Sequence, residues 1–165
     1  VNLIMLRRMT KELKLLQAEP PSNVKFTSMQ IPEYKDLQQG AVPMWTAVIT
    51  TPKESVYEGC QYPVEIEFTG EYPFKPPTVR IKGIYHPAAC AEKGCVCLDI
   101  LEDDWSPAIT LSKVFVAIEE ILIDPSISAQ GIDGCIRINH GNREAASLYI
   151  KNRKKFDELA KQSAK

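Results

Sequence analysis

Three of the five cysteines crowd into a short stretch, Cys90, Cys95 and Cys97, and His86 stands just ahead of them. These four side chains are all potential zinc ligands, and zinc takes four nitrogen or sulfur donors tetrahedrally. The spacing fits that chemistry poorly. Structural sites present ligand pairs two to four residues apart, whereas Cys95 and Cys97 are separated by one residue, which is expected to point their thiols to opposite sides of an extended backbone. A second reading is inert packing, since a free cysteine behaves as a small hydrophobe; Cys60 and Cys135, away from the cluster, fit it best. The third is a single nucleophilic thiol, reactive as its thiolate and reachable on an irregular segment held by a rigid frame. His86 and His140 are the only imidazoles, and nothing in the sequence sets either against a thiol. The thiol reading alone names no reaction.

The elements that must position this segment are legible from periodicity. Before Pro20, Leu3, Leu6, Leu13 and Leu16 form a helical stripe with Arg7, Arg8, Lys11 and Lys14 mostly off it. From Val24 to Ile81 the period is two: Val24–Met29, Trp45–Ile49, Val64–Phe68 and Thr78–Ile81 read as strands. Their connections are too short for a parallel crossover helix, so an antiparallel meander is expected. Thr110 is placed to cap a helix carrying Val114, Ile118, Ile121 and Leu122, which ends before Asp124-Pro125. Arg143–Gln162 reads as one or two more helices with Ala145, Leu148, Tyr149, Phe156 and Leu159 inward, and Ser126–Asn142 as a loop. The order helix, four strands, irregular stretch, helices is that of an α+β domain, expected to occupy residues 1–165 as a single unit.

Composition narrows the function classes. The chain has 165 residues, 20 basic against 21 acidic, without the strongly basic face of a general nucleic-acid binder. No apolar run reaches the ~18 residues of a membrane span, so neither nucleic acid nor membrane is expected as a partner. Both chain ends are net basic and the middle net acidic, which suggests separate partner faces. An odd cysteine count argues against a purely disulfide framework and for a reducing, cytoplasmic or nuclear setting. The start at Val1 rather than Met leads us to expect a trimmed form that has lost an upstream segment.

Four blocks in register carry a resemblance. Tyr72-Pro73-Phe74-Lys75-Pro76-Pro77, Tyr85-His86-Pro87, Gly94-Cys95-Val96-Cys97-Leu98-Asp99-Ile100-Leu101 and Trp105-Ser106-Pro107-Ala108 resemble the ubiquitin-conjugating enzymes in order and approximate spacing. The resemblance implies that family's fold and selects Cys97, before Leu98-Asp99, as the thiol that takes a ubiquitin-type carboxyl terminus from an activating enzyme. That thiol would then yield the carboxyl to a lysine amine of a protein substrate, usually with a ligase holding both parties. It implies supporting roles for His86 and Asp99, and Asp133 is the candidate for the family's acidic residue near the thiol. No cofactor is expected, because ATP is used by the activating enzyme, and the chain is expected to be monomeric. Ligase and activating-enzyme contacts carry over to Arg7, Lys11 and Lys14 on the first helix, to Phe74, and to Ser106, Pro107 and Ala108. Phe74, flanked by Pro73 and Lys75, is expected to be exposed, and Trp105 to pack beneath its loop.

The sequence departs from the family where transfer chemistry is most demanding. His-Pro-Asn is the usual tripeptide, its Asn holding the active loop or the oxyanion; here it is His86-Pro87-Ala88. Losing one oxyanion donor costs on the order of 10²–10³ in rate. Backbone amides or Asn139 are the candidate replacements; failing those, the alternatives are a transfer-poor enzyme or a non-catalytic binding module. A zinc-holding adaptor through His86, Cys90, Cys95 and Cys97 is the rival class. The acidic group Asp99, Glu102, Asp103 and Asp104 could favour an approaching lysine while disfavouring the thiolate on Cys97.

Overall fold

The computed structural model describes residues 2–126 and 141–164. Asp133, Cys135, Asn139 and His140 therefore lie outside the described residues. Alternation of apolar and polar side chains builds a four-stranded antiparallel sheet in meander order: β1 (Val24–Ser28), β2 (Met44–Thr50), β3 (Gln61–Glu67) and β4 (Thr78–Ile81). Register puts like with like. Trp45 faces Ile66, Ala47 faces Val64 and Ile49 faces Tyr62, all six buried, while Thr46 opposes Glu65 on the other face. A one-residue slip would turn every one of these out of the core, so the pattern itself fixes the pairing.

Helix α1 (Asn2–Ala18) buries Met5, Met9, Glu12 and Leu16. The expected leucine stripe is corrected here: Leu3 is 52% exposed, Leu6 and Leu13 are only half-buried, and Leu16 alone of the four is fully inside. Two flexible methionines fill the core positions instead. A buried carboxylate in the middle of that face hid the true period from a reading based on hydrophobicity.

A short helix α2 (Tyr34–Gln38), which the sequence reading missed, starts with a reciprocal cap between Glu33 and Asp36. Helix α3 (Leu111–Ile123) begins as expected, the Thr110 hydroxyl accepting from the Lys113 amide at 3.4 Å. The closing segment is two helices, α4 (Arg143–Lys151) and α5 (Arg153–Gln162). Asn152 divides them, ending the first and accepting from the Lys155 amide at 3.2 Å to start the second. Ala145, Tyr149 and Phe156 face inward, but Ala146 and Ala160 take the positions assigned to Leu148 and Leu159, which are half-buried. Among the described residues, no helix is long and apolar enough to cross a membrane.

Candidate functional site

The cysteine-bearing segment is an extra hairpin laid along the free edge of β4. Arg80 and Cys95 form an antiparallel bridge, the Ile81 amide donates to the Gly94 carbonyl at 2.8 Å, and the Val96 amide donates to that of Val79 at 2.8 Å. The same residues pair on their other side with 88–90. Ala89 opposes Val96, the Cys97 amide donates to the Ala88 carbonyl at 2.7 Å, and the Cys90 amide donates to that of Cys95 at 3.0 Å. Gly94 makes this approach possible: its φ is +69°, and a Cβ there would stand 2.3 Å from the Ile81 carbonyl oxygen.

Alternation along this hairpin sends Val96 and Ala89 into the core, leaving Cys90, Cys95 and Cys97 half-buried on the other side. The expectation that Cys95 and Cys97 diverge is thus overturned, because residues two apart on an extended chain share a face. They still form no metal cage. Among the described residues no three His, Cys, Asp or Glu side chains are placed to hold an ion. The Cys95 thiol interacts with the Arg80 guanidinium, and both imidazole nitrogens of His86 are occupied.

His86 is fully buried. The Ala88 amide donates to its Nδ1 at 2.9 Å, so Nε2 carries the proton and donates to the Ile121 carbonyl at 2.8 Å. Burial pushes its pKa down to about 4, so it stays neutral near pH 7. It bolts the hairpin to the end of α3 and has no lone pair left for a base. Asn142 reinforces the joint, its amide donating to the Pro87 carbonyl at 2.9 Å.

The Cys97 thiol is pushed up to about 12, chiefly by burial, then by the negative charge that Cys90 and Glu102 can hold nearby. Its Sγ donates to the Cys95 carbonyl oxygen at 3.9 Å. Ala88 lies opposite Cys97 across the hairpin, 2% exposed, and offers only a methyl group. Asp99 opens a single 3-10 turn (Asp99–Leu101) immediately beyond the thiol, with its side chain exposed. Glu102, Asp103 and Asp104 are exposed as well.

The expected partner-contact residues share one feature, exposure. Arg7, Lys11 and Lys14 lie on the outer side of α1, Phe74 is 57% exposed, and Ser106, Pro107 and Ala108 project from the loop before α3. What sequence reasoning missed is the lashing beneath them. The Glu12 carboxylate, wholly buried, accepts from Arg8 Nε at 3.0 Å, from the Tyr72 hydroxyl at 3.4 Å and from the Leu111 amide at 3.2 Å. Arg8 donates in turn to the carbonyls of Pro107 and Ile109 and lies over the Tyr72 ring. Trp105, half-buried as expected, donates from Nε1 to the Pro73 carbonyl at 2.9 Å, joining the two loops. The one available signal was a glutamate inside an otherwise apolar helix face, four residues after an arginine.

The sequence matches that of known proteins. Residues 8–164 match the family model described as ubiquitin-conjugating enzyme. A curated relative, "Ubiquitin-conjugating enzyme E2 1" of Caenorhabditis elegans, is 31% identical over 157 residues, covering 94% of this chain and 71% of that protein.

Proposed function

The chain belongs to the ubiquitin-conjugating enzyme family, and we propose that it carries ubiquitin or a ubiquitin-like protein as a thioester on Cys97. The observation that carries this reading is the hairpin: of the thiols in the segment that matches the family's Gly-x-x-Cys-Leu-Asp block, Cys97 follows the buried Val96 and stands at the open end. In the first step the Cys97 thiolate attacks the activating enzyme's thioester carbonyl, the thiol proton goes to solvent, and the activating enzyme's thiolate leaves. In the second a substrate lysine amine attacks the new thioester, and the Cys97 thiolate is expelled from the tetrahedral intermediate. ATP is consumed by the activating enzyme, and a ligase docks on Phe74, Ser106–Ala108 and the basic side of α1. The setting is cytoplasmic or nuclear.

The raised thiol pKa acts oppositely on the two steps. It lowers the thiolate fraction that accepts the modifier, and it makes Cys97 a poorer leaving group once charged. Ala88 adds to the second effect, since no carboxamide stands opposite Cys97 to donate to the oxyanion. A charged form slow to discharge without a ligase is the consequence. Incubation with activating enzyme, ATP and a panel of tagged ubiquitin-like proteins should give an adduct that reductant removes. An adduct that persists in Cys97→Ala sinks the assignment.

A further inference from the structure

Cys90 has no part in the chemistry above, yet the hairpin register, with Ala89 opposite Val96, makes it the diagonal neighbour of Cys97, and the two side chains interact. Both sit on the outward side of the hairpin, whose strands are clamped by the Cys97-to-Ala88 and Cys90-to-Cys95 backbone bonds. Cys95, directly across from Cys90, is the nearer residue along the backbone, but its thiol is engaged by Arg80. Cys90 also lines an open groove with Tyr85, Glu92, Lys93, Asn142 and Glu144, and the turn residues Ala91, Glu92 and Lys93 are exposed, so a small solute reaches it.

We propose that Cys90 is a redox partner of Cys97, so that a low-molecular-weight disulfide closes a reversible Cys90–Cys97 bond and shuts the acyl-carrying site. The consequence for charging rests on the assignment of Cys97 above; the bond itself does not. With oxidised glutathione the balance is complete. Cys90 attacks one glutathione sulfur, forming a mixed disulfide and releasing one glutathione thiolate. Cys97 then attacks the Cys90 sulfur, forming the internal disulfide and releasing the second. The two protein thiols lose two protons and two electrons, and the oxidant becomes two glutathione thiols.

Cys90 makes the first attack because it lines the open groove, which Cys97 does not. Once Cys90 is in a mixed disulfide it can no longer hold charge beside Cys97, which eases the second attack. Diagonal neighbours across a strand pair lie ~7–8 Å apart at Cα, beyond the ordinary disulfide span, so closing the bond must draw the hairpin backbone inward, and the strained bond is readily reduced.

The test uses the full chain, without activating enzyme, equilibrated in glutathione buffers of rising oxidised fraction. Trypsin cuts after Lys93, between the two cysteines, so non-reducing digestion should give Gly83–Lys93 linked to Gly94–Lys113. Fragmentation should place the second sulfur at Cys97. In a parallel arm, oxidised wild type should lose charging and recover it with reductant, while Cys90→Ser exposed to the same buffers keeps charging. Linkage to Cys95 alone, glutathione retained singly on Cys97, or loss of charging in Cys90→Ser as fast as in wild type each overturns the proposal. A protein that forms the link but charges under no condition would leave the disulfide standing and remove the assignment of Cys97 instead.

Discussion

Replacing Gly94 by alanine separates the geometry of the hairpin from its chemistry. At φ +69° an alanine sits in the left-handed region, a cost of about 1–2 kcal/mol wherever it occurs. At this position the new methyl would also stand 2.3 Å from the Ile81 carbonyl oxygen, backbone that has no rotamer by which to escape. The hairpin must lift from β4, and the two bonds it makes there, Ile81 to Gly94 and Val96 to Val79, each contribute about 1 kcal/mol. The combined loss is therefore about 3 kcal/mol, or about 9 °C in Tm for a chain of this size. Gly40 supplies the control. Its φ of +85° imposes the same conformational term, but nothing lies within 4 Å of its added Cβ, so Gly40→Ala should cost only about 1–2 kcal/mol. Urea unfolding measures both variants, and amide exchange at Ile81 and Val96 reports whether the hairpin has lifted. Equal destabilisation by the two substitutions, with exchange at Ile81 and Val96 unchanged, would refute the reasoning.

Three further outcomes follow from the same geometry. Because its pKa is raised, alkylation of Cys97 by iodoacetamide should climb about tenfold per pH unit from pH 7 to 10 without levelling off; a plateau near pH 9, read by mass spectrometry of the Gly94–Lys113 peptide, contradicts the burial argument. Ala88→Asn restores a carboxamide opposite Cys97 and should quicken discharge to free lysine, by up to about a hundredfold; equal single-turnover rates for both proteins remove the role given to this position. Arg8→Ala leaves the buried Glu12 carboxylate without its cation and should cost about 3 kcal/mol in urea unfolding, while Arg8→Met with Glu12→Leu should recover most of that; a loss under about 0.5 kcal/mol for the single variant would mean the pair is not a structural bolt.

Much of the fold was legible because it rests on repetition. Val64 to Phe68 alternates so cleanly that strand, face and neighbours follow, and Thr78–Ile81 falls on its expected residues. The first helix was misread in face, since its inner side is built from Met5, Met9 and Glu12, and no hydrophobic scale places a glutamate in a core. That residue is inside only because an arginine, a tyrosine and a helix N-terminal amide from three parts of the chain converge on it. Beyond the four-residue spacing of Arg8 and Glu12, such convergence has no local signature. The candidate site divides the same way. The segment holding Cys97 stood out by composition, whereas the use of its backbone as an added strand on β4 depended on pairings with Arg80 and Ala89 that no periodicity in the segment announces.

Arg8 and Trp105 grip the loops that carry Phe74 and Ser106–Ala108 by carbonyl oxygens, those of Pro107, Ile109 and Pro73. Main-chain oxygens are the same whatever side chain a residue bears. The anchoring is therefore indifferent to what Phe74, Ser106 and Ala108 become, so long as the backbone path is kept. A surface held from behind in this way can exchange its outward residues at little cost to the scaffold that holds it.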